Sequence, residues 1–369
     1  MPPRIFRLAT IVALALAGTA AMTMTRADAP AGSGAPRRGE RFQNNYVEFE
    51  PKGLGALLQW KMAASRAGLP KPPQQPTPRV APDLDFLRAN AAAGAAMVPS
   101  VTWIGHATTL IQAGGINLLT DPIFSERASP FSFLGPKRQV APGIAVAGLP
   151  HVDAVLISHN HYDHLDEASV RALAAQAGGP PLFVVPLGIK TWLAELGIDH
   201  AVELDWWQSA RIGAVEIVFT PAQHWSGRSL TDRMMTLWGS YAIFAPDFQV
   251  WFAGDTAYSN DFADIHQRFA ARHGAGRGFD LALIPIGAYE PRWFMRSQHV
   301  DPAEAVQIHR DLAVEHSIGI HWGTFQLTDE PLDEPPQALA RAARQAGLAD
   351  DAFTVLAVGA TRTFAPRAR

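Results

Sequence analysis

The stretch His159-Asn160-His161-Tyr162-Asp163-His164 decides the fold of this chain. It places four side chains that can ligate a metal within six positions, directly after the apolar run at residues 154–157. That run predicts a buried strand, and α/β proteins place their chemistry where strands end. A single turn can direct His159 and His161 to one metal ion, and Asp163 and His164 to another. The pattern therefore predicts a two-metal hydrolase.

Further along the chain, polar side chains follow other apolar runs in the same way. His224, Asp255 and His321 each come just after such a run, and His299 precedes a predicted helix. A single histidine or aspartate in this position is more often a hydrogen-bonded boundary residue or a turn former than a ligand. Beside the six-residue cluster, however, side chains at several strand ends can converge on one centre. We therefore expect all four of these residues at or near the metal ions.

The composition limits which metals and partners the chain can use. Its 369 residues include no cysteine, so there is no disulfide, no thiolate nucleophile and no thiolate metal ligand. A transition metal must be held by imidazole nitrogen and carboxylate oxygen, donors that suit zinc, iron or manganese. The 31 basic and 34 acidic residues give a net charge of −3, without the positive excess typical of nucleic-acid-binding proteins.

The N-terminus has the pattern of a targeting segment. Arg4 and Arg7 precede an apolar run at residues 8–24, and Ala27-Asp28-Ala29 follows it. A basic start, an apolar centre and an A-x-A site are typical of a secretory signal peptide. The run also approaches the length of about 20 residues that a membrane span needs. Residues 1–29 are therefore interpreted as a signal peptide or an N-terminal membrane anchor, and the protein as exported, periplasmic or membrane-associated.

After this segment we predict a linker and N-terminal extension at residues 30–98 that packs on the main domain, which occupies residues 99–369. Apolar runs bounded by turn residues predict strands at 101–104, 109–112, 116–120, 154–157, 182–185, 215–219, 241–244, 250–253, 281–286 and 353–358. Helical patterns are predicted at 53–67, 84–95, 166–176, 303–312 and 336–346. Strands recurring with a few helices indicate a layered α/β architecture, in which helices cover sheets.

The chain resembles a known family in its motifs. The six residues from His159 to His164 match the H-x-H-x-D-H signature of the metallo-β-lactamase fold. Other stretches narrow the resemblance to the N-acylphosphatidylethanolamine-hydrolysing phospholipase D family: residues 102–108, 120–124, 135–138, 223–225, 237–240, 253–256, 287–295 and 320–325. The similarity runs from about Arg41 to Thr363. The stretches at 287–295 and 321–325 are the most specific, because H-x-H-x-D-H alone would indicate only the superfamily.

The resemblance implies an αββα sandwich, with two mixed sheets face to face and helices outside. It also implies two zinc ions, with iron or manganese as alternatives. One ion would be held by His159, His161 and His224. The other would be held by Asp163, His164 and His321, and Asp255 would bridge both. Asp163, Asp255 and His299 would form the catalytic centre, with Tyr289, Arg292 and His299 on the substrate side.

The implied reaction is hydrolysis of N-acyl-phosphatidylethanolamine or a related glycerophospholipid. Two divalent ions about 3.5–4 Å apart can hold a hydroxide that attacks the phosphodiester, so no serine or cysteine nucleophile is needed. Phosphatidic acid and the head-group alcohol, an N-acylethanolamine, would result. His299 would be a general acid, a donor to the phosphoryl oxygens, or a residue that orients a ligand.

Several alternatives stay open at this point. The same site could serve a lactonase or a soluble phosphodiesterase, and iron in it could serve redox chemistry. His106 and Asp121 are either partners that orient a ligand or ordinary turn and cap residues. The expected partners are a phospholipid substrate and a membrane surface, without nucleic acid. The oligomeric state is open, a homodimer included.

Overall fold

A computed structural model describes residues 34–49, 51–274 and 276–367 of the chain. The predicted signal peptide or anchor at residues 1–29 lies outside these residues. Within the described part, no helix combines the length and the apolar character needed to cross a membrane.

Two seven-stranded sheets form the centre of the fold, and a short hairpin of β1 (Arg37–Arg38) and β2 (Arg41–Phe42) precedes them. The first sheet contains β3 (Ser100–Gly105), β4 (Thr108–Ala113), β5 (Ile116–Thr120), β6 (Ala154–Leu156), β7 (Leu182–Pro186), β8 (Ala201–Leu204) and β16 (Thr361–Thr363). The second contains β9 (Ser209–Ile212), β10 (Val215–Thr220), β11 (Ser240–Phe244), β12 (Gln249–Phe252), β13 (Leu281–Pro285), β14 (His316–Ile320) and β15 (Phe353–Val355).

Both sheets are mixed. In the first, the order is β16-β3-β4-β5-β6-β7-β8, with antiparallel pairing up to β5 and parallel pairing beyond it. In the second, the order is β15-β14-β13-β12-β11-β10-β9, parallel up to β12 and antiparallel beyond it. Gly114 and Gly115 form the predicted hairpin turn between β4 and β5, at φ of 61° and 82°. Because a two-residue hairpin turn of this kind needs positive φ at both central positions, glycine is favoured there.

The inner strands are apolar on both faces because each face packs against a different layer. In β6, Ala154 and Leu156 belong to the core between the sheets, whereas Val155 belongs to the cluster beneath the helices. In β7, Val184 and Val185 divide in the same way. This alternation follows from the two-residue repeat of a strand. It explains why these strands appear in the sequence as continuous apolar runs.

Most of the helices lie on the outer faces, so the predicted αββα sandwich is confirmed. They are α1 (Leu54–Ala67), α2 (Leu84–Ala92), α3 (Glu167–Ala174), α4 (Ile189–Glu195), α5 (Asp261–His273), α6 (Arg292–Met295), α7 (Pro302–Asp311) and α8 (Glu334–Gln345). Buried residues of α2, α3 and α4 contribute to the cluster on the first sheet, and those of α5, α7 and α8 to the core with the second.

Some elements differ from the prediction. Helix α2 ends at Ala92 rather than at residue 95, because Gly94 adopts φ of 55° and a short 3-10 turn, Gly94–Ala96, follows. The last predicted strand ends at Val355 rather than at residue 358. Helices α4, α5 and α6 and the short strands β1, β2, β8, β9 and β16 were not predicted. The domain limits at residues 30, 98 and 99 remain predictions, although residues 34–49 do pack on the main domain.

Candidate metal centre

The loops after several strands of both sheets meet at one site. The first sheet supplies His106 after β3, Asp121 after β5, and residues 159–164 after β6. The second supplies His224 after β10, Asp255 after β12, and His321 after β14. His106, Asp121 and His321 have φ of 54°, 31° and 61°, a left-handed backbone that side chains other than glycine rarely adopt. Such strained positions cost about 1–3 kcal/mol each and cluster at functional sites.

A first group consists of three histidine nitrogens. His159 Nε2 lies 2.7 Å from His161 Nδ1, and His224 Nε2 lies 3.4 Å from the same atom. The three rings are buried or nearly so. Imidazole nitrogens that face one another so closely are the donor set of a metal site, because a cation between them can accept all three lone pairs.

A second group combines one carboxylate with two histidines. Asp163 Oδ2 lies 3.4 Å from both His164 Nε2 and His321 Nε2, and these two ring nitrogens are 3.2 Å apart. His106 Nε2 lies 3.0 Å from the same Asp163 oxygen. The backbone carbonyl of His106 also accepts a hydrogen bond from the His321 amide. His106 therefore touches two members of the group, through its ring and through its backbone.

Asp255 lies between the two groups. Its Oδ2 atom is 3.1 Å from His164 Nε2 and 3.9 Å from both His159 Nε2 and His224 Nε2. Its Oδ1 atom is 3.2 Å from His321 Nε2. One carboxylate thus reaches ring nitrogens of both groups, which is the geometry that a bridging ligand requires.

Asp121 fixes the orientation of two of the histidines. Its carboxylate accepts hydrogen bonds from His164 Nδ1 at 2.7 Å and from the Ser158 hydroxyl at 2.6 Å. The Ser158 oxygen in turn lies 2.9 Å from His159 Nδ1, placed to accept its proton. In both histidines the Nδ1 atom is engaged, so Nε2 is the ring nitrogen that faces the other ligand atoms and is available to a metal. Of the two roles open for Asp121, the structure supports that of an orienting partner.

The charges of the site favour a cation at its centre. Burial and the neighbouring histidines lower the pKa of His159 and His161 well below the usual range, and burial lowers the pKa of His224 to about 4. Burial alone would raise the pKa of Asp163 and Asp255, but the positive charge on His164 holds both well below the usual range. Conversely, Asp255, Asp163 and Asp121 overcome burial and raise the pKa of His164 well above its ordinary value. Three carboxylates thus stabilise positive charge at one point.

An unsatisfied polar atom shows that the residues present fit metal ions. Asp255 Oδ1 lies 3.2 Å from His321 Nε2 and is buried without a hydrogen-bond partner among the described residues. Leaving such a buried atom unpaired costs about 1–3 kcal/mol, a cost that a bound cation would offset. With Asp255 in addition to the two groups of three, the side chains exceed the four ligands of a closed structural zinc site. The seven sequence-predicted ligands are thus brought together at one place.

The three predicted substrate-side residues have different surroundings. His299 Nδ1 is 3.9 Å from Asp255 Oδ2, and burial lowers the pKa of His299 to about 3 despite that carboxylate. Tyr289 is buried, and its hydroxyl has no hydrogen-bond partner among the described residues. Arg292 pairs with Glu304 at 2.7 Å and donates to the His299 carbonyl at 2.8 Å. Its guanidinium therefore holds the His299 backbone against α7.

Arg228 is a contributor that sequence reasoning missed. Its Nη1 atom donates to the carbonyls of Asn160 and Leu165, which bracket the metal-binding loop. Its guanidinium also lies over the Tyr162 ring, 3.9 Å from the centroid. A single arginine in a polar loop carries no sequence signal of this role, because the carbonyls that it contacts are 63 and 68 residues away.

Comparison with known proteins agrees with this geometry. Residues 116–322 match the model of the β-lactamase superfamily domain. An N-acyl-phosphatidylethanolamine-hydrolysing phospholipase D of Caenorhabditis elegans is 40% identical over 250 residues, which cover 64% of this chain and 68% of that protein. A metal-dependent hydrolase of Rubrobacter xylanophilus is 32% identical over 254 residues, covering 67% of this chain and 90% of that protein.

A solved structure shares the fold at low identity. The isothiocyanate hydrolase from Delia radicum gut bacteria superimposes with a TM-score of 0.56 at 20% sequence identity, covering 72% of this chain and 99% of that one. At this identity the likeness concerns the architecture alone.

Proposed function

The chain is a metal-dependent hydrolase that belongs to the metallo-β-lactamase superfamily and, within it, to the family of the N-acyl-phosphatidylethanolamine-hydrolysing phospholipases D; from this premise we propose that it is a zinc-dependent phosphodiesterase of phospholipase D type. Its substrate is N-acyl-phosphatidylethanolamine or a related glycerophospholipid. Water adds to phosphorus, the bond from phosphorus to the head-group oxygen breaks, and the alcohol leaves with a proton. Phosphatidic acid and N-acylethanolamine are the products.

The observation that carries the proposal is the position of Asp255 between two groups of ligand atoms. Two bound divalent cations supply Lewis-acid stabilisation of the charge that develops on phosphoryl oxygens, and they lower the pKa of water. His159, His161 and His224 would hold one of them, and Asp163, His164 and His321 the other. Asp255 keeps the two sets of donors together. A donor set of imidazole and carboxylate without thiolate is one that zinc accepts, as do iron and manganese.

Three residues connect this centre with solvent. The side chains of Asp163 and His299 are 16% and 12% exposed, whereas those of His159, His164 and His321 are at most 1% exposed. His161 is also partly exposed. A phosphodiester would therefore approach from the side of Asp163, His161 and His299. Since burial keeps the His299 ring neutral at pH 7, it would position the phosphate by donating one N–H rather than act as a proton source.

Exposed apolar side chains on α1 support a lipid substrate and a membrane surface as the partner. On α1, Leu54, Leu58 and Met62 recur at every fourth residue and are 72%, 54% and 53% exposed. The inner side of α1 packs on α6 through Trp60 and Phe294, whose ring centroids are 4.8 Å apart. Helix α6 is followed within a few residues by His299, so the helix that carries the apolar stripe packs against the segment that leads to the site.

The test is a product analysis with the zinc-loaded protein and a mixed phospholipid extract. Mass spectrometry should detect phosphatidic acid and N-acylethanolamine, and parallel incubations with lactones and β-lactams should show no turnover. Asp255→Asn removes the charge between the two groups and should abolish both metal retention and turnover. Hydrolysis of lactones or of small soluble phosphodiesters, without release of phosphatidic acid, would overturn the lipid assignment and favour the alternative hydrolases.

A further inference from the structure

The described N-terminal segment, residues 34–49, lies against the loop that carries His224; we call it the N-terminal arm. It precedes both sheets in the sequence and lies outside the region that matches the superfamily model. Its hairpin is fixed to the main domain by a hydrogen bond from the Phe42 amide to the Met234 carbonyl at 2.9 Å. Phe42 itself is fully buried in the core between the sheets.

One side chain of the arm binds both backbone groups of His224. The Oδ1 atom of Asn44 accepts the His224 amide proton at 3.0 Å, and its Nδ2 atom donates to the His224 carbonyl at 2.9 Å. The indole N–H of Trp238 also donates to Asn44 Oδ1, at 3.0 Å. Asn44 is 8% exposed, so these bonds are shielded from water.

These bonds matter because His224 lies beyond the end of its strand. Strand β10 stops at Thr220 and an isolated bridge holds Gln223 beside Ala257, but among the described residues Asn44 alone bonds the backbone N–H and C=O of His224. The ring is held at one end, where Nδ1 lies 2.8 Å from the Gln298 carbonyl. The direction of Nε2 towards His161 and Asp255 then depends on where the backbone lies, and Asn44 is the side chain that fixes it.

We propose that Asn44 is a positioning residue for the His159–His161–His224 metal half-site, which the N-terminal arm thereby completes. The inference rests on the proposed metal-dependent function, but not on which ester is hydrolysed. Mutation of a residue that hydrogen-bonds a metal ligand typically reduces metal affinity by about 10–100-fold. Asn44 acts on the ligand's backbone in the same sense.

A second contact of the arm reaches another ligand of the same half-site. Phe49 stacks on Trp225, with ring centroids 5.5 Å apart and planes 7° apart. The Trp225 ring in turn contacts the His161 ring in a T-shaped arrangement, at 4.3 Å between centroids. Among the described residues, no hydrogen bond, ion pair or ring contact joins the arm to Asp163, His164 or His321. The arm should therefore affect one half-site and spare the other.

The test compares Asn44→Ala with Asn45→Ala in the full chain. Asn45 is a matched control, because its side chain donates to Asp261 at 2.7 Å and does not touch His224. Zinc affinity and stoichiometry are measured by competition with a coloured chelator, and the melting temperature with and without zinc. For N44A we expect one tightly held zinc instead of two, an affinity at least about 10-fold lower at the other site, and a smaller zinc-induced rise in melting temperature. N45A should behave like the parent.

A purely structural role would give a different result. The melting temperature of N44A would then fall equally with and without zinc, and both ions would bind as in the parent; that outcome overturns the proposal. If N44A does not fold, Asn44→Asp replaces it, since a carboxylate still accepts from His224 and Trp238 but no longer donates. N44D should then lose zinc from one site more readily than N45A, and parental zinc affinity in N44D would overturn the proposal. These readouts do not use a substrate, so failure of the lipid assignment leaves them unaffected.

Discussion

At the scale of single residues, the role of His299 separates metal binding from catalysis. Its ring nitrogen faces ligand atoms of His224 and Asp255, but it lies outside the two groups of three described above. Because both groups of three and Asp255 stay complete without it, His299→Ala should retain both metal ions and reduce kcat by about 100-fold, as expected when a hydrogen-bond donor to the phosphate is lost. Metal analysis and steady-state kinetics on the same preparation check this. Loss of a metal ion would show instead that His299 is a ligand.

At this scale, the metal ligands could be predicted from the sequence, whereas the residues that position them could not. The ligands were predictable because each follows an apolar run and because H-x-H-x-D-H compresses four of them into one loop. Asn44 was not predictable, since its partner His224 is 180 residues away and an asparagine in a polar segment has many ordinary uses. The ion pair of Arg292 with Glu304 could not be predicted for the same reason. The sequence places a positive charge near the site but does not show which acidic residue pairs with it.

At the scale of elements, His309 links α7 to the second sheet. Its Nδ1 atom lies 2.9 Å from the Ser317 hydroxyl of β14, and its ring stacks on Phe353 of β15. Burial, with the nearby charges of Arg310 and His316, lowers the pKa of His309 to about 4. The ordinary value in an unfolded chain is about 6.5. Between these two pH values the unfolded state binds a proton that the folded state excludes, so this histidine reduces stability as the pH falls.

His309→Gln removes this uptake of a proton and keeps a side chain that can bind Ser317. Between pH 7 and pH 4.5, we expect the free energy of unfolding to fall less in H309Q than in the parent, by on the order of 2 kcal/mol. Urea unfolding at both pH values measures it, and the variant of an exposed histidine, His151→Gln, is the control. Equal pH dependence in H309Q and the parent would contradict the assignment.

Elements were predicted where burial leaves a clear pattern. The inner strands of both sheets appear as apolar runs because both of their faces are covered, as Val184 and Val185 show. The edge strands β8, β9 and β16 have half-buried or exposed positions and were not predicted. Helix α5 was missed although Phe262, Ile265 and Phe269 form a buried face, because charged residues dominate the rest and no side chain caps its start. Helix α4 is only seven residues long, and its two buried residues, Ile189 and Leu193, are too few to show a helical periodicity.

At the scale of the whole molecule, metal binding should stabilise the fold, because ligands from both sheets come together only in the folded state. A ligand present at 100 times its dissociation constant adds about 2.7 kcal/mol to the free energy of unfolding. Removal of metal with a chelator should therefore lower the melting temperature by several degrees, and added zinc should restore it. Differential scanning calorimetry measures the change. An unchanged melting temperature after complete removal of metal would contradict the coupling.

The division of the ligands between the two sheets has one more consequence. His159 and His161 come from the first sheet and His224 from the second; likewise His164 comes from the first and His321 from the second. In the metal-loaded protein, each ion would thus cross-link the two sheets of a chain that has no disulfide to join them. The layers cannot slide past each other without breaking coordination bonds, so an ion of different radius would change the spacing of the sheets as well as the chemistry at their edge.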